Sequence, residues 1–96
     1  MTKDILVDIK ERLPTFSKGQ KRIGNYILSS YSRAAYMTAH KLGQQVNVSE
    51  STVVRFATEL VYEGYPSMQK ALQEMIRNKL TTLQRLEVSQ KRITLS

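Results

Sequence analysis

The chain has no cysteine, which excludes disulfides, thiolate metal sites and thiol nucleophiles together. Its one histidine, His40, builds neither a metal site nor a catalytic triad by itself. Acids are few, eight in 96 residues, and so dispersed that no nucleophile–base pair can be assembled; an enzyme is not expected. No stretch approaches the ~20 apolar residues that a membrane span requires. The opening residues alternate apolar and charged around Asp4 and are no signal peptide. The chain therefore reads as cytoplasmic, with no membrane partner and no cofactor. Two prolines and four glycines leave little β-turn punctuation, and no alternating apolar run is long enough for a sheet. The class is all-α.

Positive charge is what the chain has in excess. Fifteen Lys and Arg give a net charge of +7 and a pI near 9.9. A small domain this basic ordinarily meets a polyanion, nucleic acid being the commonest; charge kept for solubility is the plainer alternative. The length allows one domain with a small but sufficient core.

Apolar spacing divides the chain into five helices. Asp4 or Thr2 can cap the first, with Ile5, Ile9 and Leu13 on one face, and Pro14 ends it by disfavouring helical geometry at the residue before it. Ser17 and Gln20 form a capping-box pattern at the second, whose inner stripe is Ile23, Ile27 and Tyr31. Its outer face carries Lys18, Lys21 and Arg22, with Arg33 near its end and no acid between 18 and 33; a one-signed face favours phosphate contact over simple exposure. Tyr31, Tyr36 and Met37 read as core or a helix junction. Thr38 caps a third helix running to about Val46, and Ser49 a fourth running to about Val61. After Gly64-Tyr65-Pro66-Ser67, a fifth carries Met68, Leu72, Ile76, Leu80 and Leu83 on one stripe, the later part of which reads as a partner-helix surface.

Residues 38–60 carry the functional signal. Leu42 and Val46 form one stripe; Val53, Phe56, Ala57 and Leu60 form another; Asn47-Val48-Ser49 between them supplies a turn residue, an apolar plug and an N-cap hydroxyl. This is the pattern of a helix-turn-helix, whose second helix enters a DNA major groove. With its apolar stripe buried, Ser51, Arg55 and Thr58 point outward and Thr52 lies at the flank. Serine and threonine can bond bases or phosphates, and arginine can pair bidentately with guanine. Each has a structural alternative. Ser49 is first an N-cap, Thr52 can bond its own backbone, and Arg55 can pair with Glu59 four residues on. Glu50 suits the dipole of the first turn better than base reading. His40, beside Lys41, reads as a surface or phosphate-facing residue.

These residues resemble a known family. FSKGQKRIGNYIL at 16–28, TAHKLGQQVNVS, ESTVVRFATEL and GYPSMQKAL at 64–72 are similar to the N-terminal DNA-binding domain of the RpiR family of bacterial transcriptional regulators. Ser49, Ser51-Thr52 and Val53-Val54-Arg55-Phe56 follow that family's S-x-x-T-[IV]-x-R-[FL] run most closely. The resemblance implies a homeodomain-like five-helix bundle containing the helix-turn-helix. The domain would span residues 1–83, with 84–96 as a linker or tail toward a sugar-isomerase-type domain that is absent here. It also implies a homodimer on palindromic double-stranded DNA, control of sugar or amino-sugar catabolism, and a phosphosugar effector acting through the absent domain. The implied DNA contacts are Ser49, Ser51, Thr52 and Arg55, with Lys18, Lys21 and Lys41 on phosphates; Thr38 and Thr58 complete the candidate set. One departure stands out. Where the family has glycine after the recognition helix, this chain has Val61, and a β-branched residue resists the left-handed conformation that ends a helix there. The fourth helix is thus expected to run on a residue or two, or to end differently. The competing reading is a basic helical module that binds an acidic protein and no specific DNA sequence.

Overall fold

The computed structural model describes residues 4–78. Among them are five α-helices, one short 3₁₀ turn and no strand. None of these helices is long and apolar enough to cross a membrane. The expectations on Leu80, Leu83, the domain limit at 83 and the tail at 84–96 lie outside the described residues.

Helix α1 (Ile5–Arg12) starts at Asp4, whose carboxylate accepts from the Leu6 amide at 2.9 Å, and buries Ile5 and Ile9. It then tightens into a 3₁₀ turn at Leu13–Thr15. Pro14 acts differently from the expectation. Leu13 before it keeps helical angles (φ −50°, ψ −44°); the α-helix ends at Arg12 and gives way to the 3₁₀ turn that holds Pro14, whose missing N–H cannot continue the α ladder. Helix α2 (Lys18–Ala34) has both bonds of the capping box: Ser17 Oγ accepts from the Gln20 amide at 3.3 Å, and Gln20 Oε1 from the Ser17 amide at 3.0 Å. It bends at Ser30 (φ −140°, ψ 45°), where Ser29 Oγ donates to the Tyr26 carbonyl at 3.2 Å, the acceptor that the Ser30 amide would ordinarily meet.

Helix α3 (Ala39–Val46) is capped by Thr38, which accepts from the Lys41 amide. Asn47 follows in the left-handed conformation (φ 60°, ψ 49°), as a short polar side chain tolerates. The amide bonds Asn47→Gln44 and Val48→Gly43 close the paired pattern that ends many helices. Helix α4 (Glu50–Glu59) starts two residues later and buries Val53, Phe56 and Ala57.

The end of α4 corrects the sequence expectation. The helix stops at Glu59, short of Val61, and Val61 takes φ 70°. The bonds Val61→Thr58 and Tyr62→Ala57 repeat the pattern at the end of α3, with valine where asparagine stands there. Tertiary contacts hold the turn in place: Leu60 is buried at 3% exposure, and Arg12 Nη1 donates to the Glu59 carbonyl at 2.8 Å.

Helix α5 (residues 65–78 as described) buries Met68 and Leu72 completely. Tyr65 Oη and Gln69 Nε2 both donate to the Met37 carbonyl, at 2.5 and 3.0 Å, and Gln73 Nε2 donates to the Ala35 carbonyl at 2.9 Å. Spacing of four puts these three side chains on one face, so α5 satisfies backbone acceptors of the α2–α3 connection. Met37 is thus at a helix junction as expected. Tyr36 is not: it is 69% exposed, because the short turn after α2 aims it away from the core. The five helices meet around Ile9, Ile23, Ile27, Leu42, Phe56, Met68 and Leu72, with the Phe16 and Phe56 rings 5.1 Å apart.

Candidate nucleic-acid interface

A close approach between α3 and the turn sets the angle at which α4 is presented. Gly43 of α3 faces the turn so closely that a Cβ there would lie 2.8 Å from the Val48 carbonyl oxygen. That oxygen is backbone, and it cannot swing aside as a side chain would. Arg22 of α2 adds a second tie, donating through Nη1 to the Asn47 carbonyl at 3.5 Å. One of the basic residues expected on the outer face of α2 therefore serves the turn.

On α4, Ser51, Arg55 and Thr58 are exposed and Thr52 is half-buried. No ion pair joins Arg55 to Glu59 among the described residues, so the guanidinium is not taken up by the nearest acid on its own helix. Ser49 Oγ sits in a cluster of hydroxyls. It accepts from the Thr52 amide at 3.2 Å and lies 3.1 Å from Ser51 Oγ and 2.8 Å from Thr52 Oγ1. A hydroxyl has one proton and two lone pairs, so these three contacts saturate Ser49. One neighbour donates to it and the other accepts, which leaves the Ser51–Thr52 pair with one free O–H donor and several acceptor positions facing outward. Thr58 Oγ1 donates to the Val54 carbonyl at 3.2 Å and retains acceptor capacity.

The supporting residues Lys18, Lys21, Thr38 and Lys41 are all exposed. Two contacts locate them relative to α4. A Cβ on Gly19 would lie 3.4 Å from Val48 Cγ1 and 3.5 Å from Thr52 Cγ2, so the first turn of α2, with Lys18, packs against the first turn of α4. His40 Nδ1 in the first turn of α3 lies 3.7 Å from Glu50 Oε1. The first turns of three helices therefore converge, and α2 and α3 carry no acid there. Unpaired amides at such ends favour an anion. Glu50 opposes this, with His40 as its neighbour. Three features are not read from the sequence, the close approach at Gly43 being the first. The tie from Arg22 needs the turn and α2 side by side, which no local pattern encodes. Val54 is 40% exposed on α4; its signal in the sequence is a β-branched residue outside the apolar stripe.

Comparisons with known proteins agree with a helix-turn-helix fold. The family described as the helix-turn-helix domain of the rpiR family matches residues 3–79. An uncharacterized HTH-type transcriptional regulator of Escherichia coli, YfhH, is 31% identical over 71 residues, which cover 74% of this chain and 25% of that protein. The HTH-type transcriptional regulator HexR of Pseudomonas aeruginosa is 30% identical over 77% of this chain and 26% of its own length. Among solved structures, the Vibrio vulnificus NanR protein complexed with ManNAc-6P superposes with a TM-score of 0.74 at 28% identity, covering 77% of this chain and 28% of that one. The chain thus spans about a quarter of the length of the relatives it matches.

Proposed function

The chain belongs to the rpiR family of helix-turn-helix domains, a family of DNA-binding transcriptional regulators, and from that membership we propose how it reads DNA and what it serves. Helix α4 enters the major groove of double-stranded DNA with Arg55 and the Ser51–Thr52 pair toward base edges. Ser49, saturated by its own neighbours, orients that pair. Lys18, Lys21, Thr38 and Lys41 meet phosphates on either side, where the first turns of α2 and α3 add their amides. Thr58, further along the same face, accepts from the DNA. Two copies bind a palindromic operator, with half-sites about 34–36 Å apart or a multiple of that. The regulator serves sugar or amino-sugar metabolism and answers to a phosphorylated sugar bound by a part of the protein other than this domain. The ManNAc-6P held by NanR supports that class of effector.

One observation carries the DNA-reading part: Ser51 and Arg55 are exposed together on α4, beside the convergent first turns, with no acid of the same helix paired to the guanidinium. The test is a pair of gel-shift titrations at two salt concentrations, on a duplex selected from random sequence and on unselected duplex. Arg55→Ala should weaken the selected duplex by about 1–3 kcal/mol and the unselected one far less. Lys21→Ala should weaken both alike and shallow the salt slope by about one. Equal losses on both duplexes for Arg55→Ala would remove Arg55 as a base reader. Failure to bind any duplex at ~50 mM salt would turn the assignment toward an acidic protein partner.

A further inference from the structure

Four large apolar side chains are exposed among the described residues: Val7, Tyr36, Val54 and Val61. Val61 is fixed by the end of α4, and Val7 and Tyr36 lie on other helices or turns. Val54 stands apart, because it shares the presented surface of α4. At about 100° per residue, Ser51, Val54, Arg55 and Thr58 fall within an arc of about 100°, opposite Val53, Phe56, Ala57 and Leu60. A solvent-facing helix position is ordinarily filled by a long polar residue or alanine; valine loses side-chain freedom there and is among the poorer helix formers. Helix propensity and core packing therefore leave Val54 unexplained. The neighbouring chemistry is polar, and Thr58 uses its only hydroxyl proton on the Val54 carbonyl, so Val54 and Thr58 themselves offer methyl groups and an acceptor, the donors of the face being those of Arg55 and the Ser51–Thr52 pair. A base edge that complements it presents a methyl group. In the major groove that is the C5-methyl of thymine, and no other base carries one there.

We infer that Val54 reads a thymine through apolar contact with its C5-methyl group, adding to the polar contacts of Arg55 and the Ser51–Thr52 pair. This rests on α4 being the helix that reads DNA, and it makes a narrower statement: one operator position is thymine because of Val54.

The test begins with random-sequence selection using the 96-residue chain, followed by replacement of each thymine in the selected duplex by uracil, which deletes the methyl alone. For the unaltered chain, one position of each half-site should lose roughly three- to fivefold in affinity, the effect of exposing one buried methyl group. In Val54→Ala that penalty should vanish while the penalties for changing bases elsewhere persist. Val54→Thr, of nearly the same shape, should keep part of it. Absence of any uracil penalty for the unaltered chain overturns the inference, as does a penalty undiminished in Val54→Ala. Both results leave DNA reading by α4 intact. A selection that enriches no sequence overturns both together, which separates the failure of this inference from the failure of the reading beneath it.

Discussion

Val61 holds a backbone conformation that a β-branched side chain disfavours, at φ 70°, with 78% of its surface in solvent. The side chain thus gains little burial to offset strain of roughly 1–3 kcal/mol. Val61→Gly should relieve it, less the extra freedom glycine gives the unfolded chain, for a net gain of about 1 kcal/mol. In a domain of this size that raises the thermal midpoint by about 4–8 °C. A melting curve at neutral pH checks this, and an unchanged or lower midpoint would show that the turn carries no strain. The position also shows where local reasoning stops. The valine and its penalty are legible in the sequence, but the sequence reading had the penalty change the helix ending. Burial of Leu60 and the bond from Arg12 to the Glu59 carbonyl, 47 residues apart, fix the turn instead, and neither is decided by the residues around the turn.

At the scale of the element, the helix-turn-helix depends on one close approach. Glycine to alanine within a helix ordinarily stabilises by about 0.5–1 kcal/mol. At Gly19 the new methyl would find ordinary contact distances to Val48 and Thr52, so Gly19→Ala should keep that sign. At Gly43 it would meet the Val48 carbonyl at 2.8 Å, and α3 and α4 must part to admit it. Gly43→Ala should therefore destabilise by about 1–3 kcal/mol, and its binding to selected DNA should fall further than its stability, since the angle of α4 changes. Urea titrations of the two variants should move in opposite directions; movement in the same direction would refute the steric account. The helices themselves were legible. Asp4, Ser17, Thr38 and Ser49 all cap where the sequence put them, because an N-cap is decided within four residues. The stripe of Val53, Phe56, Ala57 and Leu60 is buried as the 3.6-residue period required. Gly43 and Arg22 were not legible, since their roles depend on how elements are placed against one another. Neither was the bend at Ser30.

For the whole molecule, the seat of α5 couples stability to alkaline pH. Burial raises Tyr65 to about 12, and Tyr62 is raised as well, by burial first and then by Asp8 and Asp4. A raised phenol favours its neutral form in the fold. The stability it contributes is therefore complete below about pH 10, the value of an exposed tyrosine, and is lost as pH climbs from there toward 12. Denaturant midpoints measured between pH 9 and 11.5 should fall more steeply for the unaltered chain than for Tyr65→Phe; parallel curves would mean that Tyr65 ionises without cost to the fold. The same seat has a mechanical side. Tyr65, Gln69 and Gln73 grip carbonyls at Met37 and Ala35, immediately ahead of the Thr38 cap on α3. Withdrawing α5 from this seat would leave both carbonyls without these donors. The fifth helix thus anchors the entry to the helix-turn-helix from behind, at the two residues that lead into the Thr38 cap.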